Sequence, residues 1–557
     1  SYNSLEVIKM IFSINSNGNL KHEEILKARL SERLDAEFSD GGLLIDLSTD
    51  LSTEKAESFI IEEKDGGFYI KASDSLGLFY GIGKLLHSGK WGSDTFSPIP
   101  TKGLMSPDCA FRATYVARHF YNFYDVAPMD EIERYLEDLL LWGQNTIILT
   151  LSTAGAKSYD DPLFKKAYEK IAEISSVSKA LGLKIGVLMG NCLFTDIPEE
   201  IRALPPVQIR YRGNLGNKIC PSKKDGMEYL KSHWTHQLEG LSHLDYIITW
   251  PYDEGGCGCS ECTPWGSNKF CDMTKELYAL AKNYFPDVKI GMSTWVFDFP
   301  EIEGEYEGLF RRLDGDMSFV SFLMTDSHHD FPKYPLEHSC PRPIINFPEI
   351  SMWSLYPWGG LGANPLPKRF QRIWDSSKHI LNGGLPYSEG IYEDISKVQC
   401  LGYYWDKDKS YTESLSEYIN YEYSSEVTDD CLELMEIIEE NHTLISKCAE
   451  PVKVDRTKEL AESINSRLPE RAKKSWRWRI LYIRAILDYK RYSSYLSIKN
   501  PKPSDRNYLI KHTGEILKDD AEAQSMFSEL IGYYHAVPHN GRNGWTLPPL
   551  GQTYFSD

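Results

Sequence analysis

Between Phe111 and Trp405 the chain alternates short apolar runs with helical stretches, and eight such runs can be counted. They are ATYVARHFY, NTIILTL, KIGVLMG, YIITW, KIGMSTW, SFVSFLM, PIINF and GLPYS, with amphipathic segments such as MDEIERYLEDLLLWG and MTKELYALAKNYF between them. Apolar strands alternating with helices indicate a parallel sheet covered by those helices. Eight of them in roughly 300 residues predict a closed (β/α)8 TIM barrel rather than an open sheet. In that fold chemistry gathers where strands end. The polar or aromatic residues following these strands are His119 and Asn122, Asp253 and Glu254, Trp295 and Asp298, Asp326 and His328, Glu349, and Glu389.

The flanks read differently. Residues 1–105 alternate β-like runs (LEVIKMIFSI, GLLIDLS, SFIIEE, GFYIKAS) with helical HEEILKARLSERL, which predicts a small α/β domain. It closes on DSLGLFYGIGKLLHSG, whose Leu76, Phe79, Leu85 and Leu86 can face a sheet while the glycines permit close approach. The Pro- and Gly-containing FSPIPTKGLMSP then serves as a linker into a barrel domain at 106–407. Residues 408–557 are helical in pattern. There Trp478, Tyr482, Ala485 and Tyr489 follow helical spacing and predict a buried stripe, with the arginines of WRWR on the outer face.

A chain of 557 residues exceeds one ordinary core, in keeping with these three domains. Its formal charge of −19 argues against a nucleic-acid partner, which is held by clustered Lys and Arg. No apolar run is long enough to span a bilayer. No Gly-rich phosphate cradle precedes a helix in the barrel, so no nucleotide cofactor is indicated. A start at Ser1 leaves a removed signal peptide open, and the expectation is a periplasmic or secreted protein with the cytoplasm as alternative.

FRATYVARHFYNFYDVAPMDEIERYLEDLLLWGQN resembles the first barrel strand and helix of glycoside hydrolase family 20, the β-N-acetylhexosaminidases. GLFYGIGKLLH is similar to the end of the small α/β domain that precedes barrels in that family and in the family 67 α-glucuronidases. Asp253 and Glu254 resemble the family 20 Asp-Glu pair at the end of strand four, and the likeness runs over about residues 60 to 300. Two departures stand out: LTLSTAGAKSYDD stands after strand two where the family usually has its His and Asp motif, and Trp250, Pro251 and Tyr252 replace His-Gly-Gly. The CGCSEC element instead resembles bacterial barrel proteins related to family 163, and the helical tail resembles family 67 architecture.

The resemblance implies a glycosidase acting on β-linked N-acetylhexosamine residues of a glycan. Such a reaction needs a proton donor and a group that stabilises or captures an oxocarbenium-like centre. Glu254 is the candidate donor, since a neighbouring Asp253 charge would raise its pKa. By the resemblance, Asp253 would orient the substrate's own 2-acetamido nucleophile. Glu349, after strand seven, is the rival for the second role, and Glu389 and Tyr252 are further binding candidates. Arg112 matches the family's sugar-binding arginine. Trp295 and Trp353 can floor a pyranose ring, while His119 and His328 can meet its hydroxyls. An α-glucuronidase-like enzyme and an inactive glycan-binding barrel are the alternatives.

Cys257, Cys259, Cys262 and, further on, Cys271 leave three states open: structural zinc, disulfide, or buried thiols. The spacing lacks the two separated pairs of a zinc ribbon, and no catalytic metal is assigned.

Overall fold

The computed structural model describes residues 9–118, 122–151, 156–193, 197–205, 217–252, 255–328, 330–349, 358, 363–388, 390–446, 452–497 and 517–533. Five strands, Met10–Asn15, Ala36–Phe38, Leu43–Ser48, Phe59–Lys64 and Gly67–Ala72, form a sheet in the order second, first, third, fifth, fourth. Only the last pairing is antiparallel. The helix Ser75–Ser88 begins at Asp74, whose carboxylate accepts from the Gly77 amide at 2.8 Å. It buries Phe79, Leu85 and Leu86, while Leu76 stays half-exposed. A Cβ at Gly83 would strike the Leu141 carbonyl, so only glycine allows this helix to meet the first barrel helix, Met129–Leu141, so closely.

All eight expected barrel strands are present: Phe111–Val116, Thr146–Thr150, Lys184–Met189, Tyr246–Thr249, Lys289–Ser293, Val320–Ser327, Ile344–Pro348 and Leu381–Gly384. Each runs parallel to its neighbours, and the eighth closes on the first through Gly383 with Phe111 and Gly384 with Arg112. The expected last run GLPYS is met in part, since the strand starts earlier and resumes at Tyr387–Ser388 beside Tyr115 and Val116. The chain is a (β/α)8 barrel. Its interior is packed with aromatic layers, the lower one formed by Phe111, Tyr246 and Phe322 with ring centroids 5.3 to 5.9 Å apart.

The tail contributes helices Tyr411–Glu422, Thr428–Ser446, Val454–Arg467, Trp476–Ser497 and Ala521–Gly532. Trp478 and Ala485 are buried as expected, and Tyr482 and Tyr489 are half-buried. The arginine expectation is corrected for Arg477 but not for Arg479, which stays partly exposed and pairs with Glu529 at 2.7 Å. Arg477, Arg484 and Arg491 recur every seven residues on one face and are 7%, 1% and 2% exposed. Carboxylates meet them there: Arg477 reaches Asp138 at 2.9 Å and Asp394 at 2.8 Å, and Arg484 reaches Asp488 at 2.6 Å. Asp138 also holds Arg29 at 3.0 Å, so one buried network joins the N-terminal helix, two barrel helices and the tail. No helix among the described residues is long and apolar enough to cross a membrane.

Candidate active site

Above the lower aromatic layer, Tyr115, Trp250, Phe347 and Tyr387 form a second one near the C-terminal ends of strands one, four, seven and eight. Their centroids lie 5.2 to 6.5 Å apart, and Trp295 joins at 5.9 Å from Trp250. Such a layer offers an apolar floor to anything in the barrel mouth. The indole Nε1 of Trp250 is buried and has no hydrogen-bond partner among the described residues.

On this floor the sequence-level candidates Trp295, His328 and Glu349 come together. Trp295 meets the His328 ring edge-on with centroids 5.2 Å apart. His328 follows strand six, with Nε2 2.9 Å from Asp326 Oδ2 and Nδ1 3.8 Å from Glu349 Oε1. All three polar residues are at most 7% exposed. Burial works against a charged His328, but Asp326, Glu349 and Asp298 outweigh it and push its pKa up to about 9. Asp298, which opens to solvent at the rim after strand five, is pushed up to about 6 by partial desolvation and then by the Asp326 charge. Among the described residues the mouth thus sets three carboxylates around one imidazolium.

Arg369, on helix Pro367–Ser377, fixes the backbone under this cluster. Its guanidinium donates to the carbonyls of Glu349, Ser327 and His328, the last at 2.7 Å. Asn346 adds bonds to the Thr325 carbonyl at 3.0 Å and to Ser327 Oγ at 2.8 Å. Strand ends six and seven are held as one piece.

Asp253 and Glu254 lie outside the described residues, as do His119, Trp353 and Glu389. Their flanks are tightly held. Trp265 Nε1 donates to the Pro251 carbonyl at 2.5 Å, and Tyr252 Oη donates to Glu305 Oε1 at 2.5 Å. Beyond the pair, Asn191 Oδ1 accepts from the Gly256 amide at 3.0 Å, and Asn191 Nδ2 donates to the Gly256 carbonyl at 3.1 Å. A side chain at Gly255 would press on the Trp250 and Pro251 carbonyls, and Gly256 has φ +110°, so the two glycines are what this turn requires. Behind strand eight, fully buried Lys397 donates to Ser388 Oγ at 2.8 Å and to the Gly390 carbonyl, the residues flanking Glu389.

Two expectations are corrected. Arg112 is the second residue of its strand, at the opposite end of the barrel from the mouth. Its guanidinium is fully buried and spent on the Gly143 carbonyl at 2.7 Å, the Cys109 carbonyl at 2.8 Å, Glu57 and the Tyr80 hydroxyl. It ties the small α/β layer to the barrel base. Tyr252 is 2% exposed and supports the strand-four loop through Glu305, whose carboxyl is pushed up to about 7 by burial. Asp298 and Asp326 stood among the strand-end residues in the sequence without a role, and their grouping with His328 is what the fold adds. Arg369, Asn346 and Lys397 carry no motif, since they act from a following helix or the strand interior.

No protein-family model matches the chain, and no curated protein matches it. Solved structures do. A family 115 4-O-methyl-α-glucuronidase with specificity for decorated arabinogalactans is similar with a TM-score of 0.60 and 12% identity, over 97% of this chain and 80% of that one. A family 138 enzyme targeting pectin rhamnogalacturonan II gives 0.56 and 12%, over 97% and 96%. A family 89 glycoside hydrolase from Clostridium perfringens, solved with GlcNAc-α-1,4-galactose, gives 0.60 and 12%, over 92% and 64%. Family 20 enzymes are among the similar structures too, and the set does not single out one family. What is shared is the barrel fold.

Proposed function

We propose that the chain is a glycoside hydrolase whose general acid is Glu254 and whose second carboxylate is Glu349. The observation that carries this is Glu349 itself, buried after strand seven, 3.8 Å from a cationic His328 and above an aromatic floor. An imidazolium beside a carboxylate favours its ionised form, which can capture or stabilise an oxocarbenium-like centre. Glu254 follows strand four across a turn whose flanks are pinned, and it supplies the proton to the leaving oxygen. The glycosidase fold shared with families 115, 138 and 89 supports the reaction class.

For substrate we infer a β-linked N-acetylhexosamine residue of a glycan, on the Asp253-Glu254 resemblance. The electrostatics weigh against an α-glucuronidase. Among the described residues the mouth holds Asp298, Asp326 and Glu349, while the Arg369 guanidinium is engaged by carbonyls, so a uronate carboxylate would meet net negative charge. A second reading has Asp253 orienting the substrate acetamido group as nucleophile, and it rests on the adjacency of the two acids in sequence. The two readings separate in one experiment. A 2-fluoro glycosyl fluoride of the accepted sugar should label Glu349, seen by intact mass and peptide mapping. Tight inhibition by a thiazoline, with no labelling, would give the nucleophile's role to the substrate instead.

A further inference from the structure

Three cysteines of the CGCSEC loop meet a fourth from elsewhere, and it is Cys220 rather than Cys271. Cys220 ends the segment after strand three, just ahead of helix Gly226–Glu239, whereas Cys257, Cys259 and Cys262 follow strand four. The four sulfurs all lie within 4.8 Å of one another. Cys220 Sγ is 3.8 Å from Cys259 Sγ and 3.7 Å from Cys262 Sγ. A disulfide would need about 2.05 Å. Four thiolates placed tetrahedrally at about 2.3 Å from a zinc ion are separated by about 3.8 Å along each edge. Cys271 is buried elsewhere, with its thiol 3.6 Å from the Gly266 carbonyl.

We propose that Cys220, Cys257, Cys259 and Cys262 form a closed structural zinc site that clasps the strand-three and strand-four loops together. The surrounding chain is built for it. Asn191 bonds to the carbonyls of Ile219, at 2.8 Å, and Gly256, at 3.1 Å, the residues immediately before Cys220 and Cys257. Cys220 itself is anchored by its amide to the Ile201 carbonyl at 2.9 Å. Ser222 Oγ lies 3.3 Å from Cys262 Sγ, where a hydroxyl can donate to a thiolate and offset its charge. Cys220, Cys257 and Cys262 are fully buried and Cys259 is partly open, which leaves one side for the ion to enter. Four protein thiolates fill a tetrahedral zinc, so no position remains for water or substrate. The ion therefore acts by holding the loop whose first residues include Asp253 and Glu254. That last consequence rests on the glycosidase reading; the metal site does not.

Metal analysis of full-length protein purified without chelator tests this independently of activity. We expect about one zinc per chain in the wild type and in Cys271→Ser, and under about a tenth of that in Cys220→Ser. Because Cys220→Ser can fail to fold, cobalt exchange into the wild type gives a second readout. The expected spectrum has tetrahedral d–d bands and a strong thiolate-to-cobalt charge-transfer band. A wild-type chain without zinc that also yields no such cobalt spectrum would overturn the proposal. So would an intact mass short of four hydrogens, which would mean two disulfides, or loss of zinc in a folded Cys271→Ser.

Discussion

Among the described residues His328 sets the electrostatic balance of the mouth, because Asp326, Glu349 and Asp298 all act on it. Its pKa of about 9 means the imidazolium persists through neutral pH. The ion pairs it makes contribute stability that is complete below the unfolded histidine value of about 6.5 and is lost as pH rises through the folded value. We therefore expect kcat/KM to fall on an alkaline limb near pH 9. In Asp326→Asn the nearest anion is gone while burial still disfavours the charge, so that limb should move to lower pH, and an unmoved limb would remove His328 from the account. This part of the site was legible in sequence as strand-end residues: Trp295, His328 and Glu349 were candidates by position. Arg112 and Tyr252 misled because residue type and motif do not report direction. Arg112 precedes the apolar stretch that forms the rest of its strand and so sits at the base, and Tyr252 turns under its loop to reach Glu305.

At the level of elements, the eight strands and their helices were readable from apolar periodicity, since a parallel barrel buries every strand on both faces. The short edge strand Ala36–Phe38 and the early start of strand eight were not, because LNGG carries little apolar signal. The helix Trp476–Ser497 shows the limit most clearly. Its aromatic stripe was legible, but Arg477 of WRWR was expected on the outer face, and only the barrel supplies its partners Asp138 and Asp394. Removing one member of such a buried network strands the other charges. Arg477→Ala should cost about 3 to 5 kcal/mol in a urea unfolding curve, and a loss below about 1 kcal/mol, the size of an exposed ion pair, would show that the network is dispensable.

On the scale of the whole molecule, that network makes the tail part of one folded unit, with Trp358 Nε1 bound to Asp488 at 2.8 Å and Arg484 bound to Asn364 Oδ1 at 2.5 Å, both in the segment after strand seven. A fragment of residues 1–407 would strip Asp138 and Asp394 of Arg477 and bare a broad apolar face, so it should aggregate. A monomeric, cooperatively melting fragment by size exclusion and calorimetry would contradict this. The same unit presents the barrel mouth, and the chemistry proposed for it is tested most directly by kcat/KM. Wild type, Glu254→Gln and Glu349→Gln should be compared on a panel of aryl glycosides that includes β-N-acetylhexosaminides. Turnover by the wild type is expected, with losses on the order of 10³-fold or more in each variant with the fold intact. Undiminished turnover in both variants, or no turnover of any glycoside or glycan by the wild type, would contradict that chemistry.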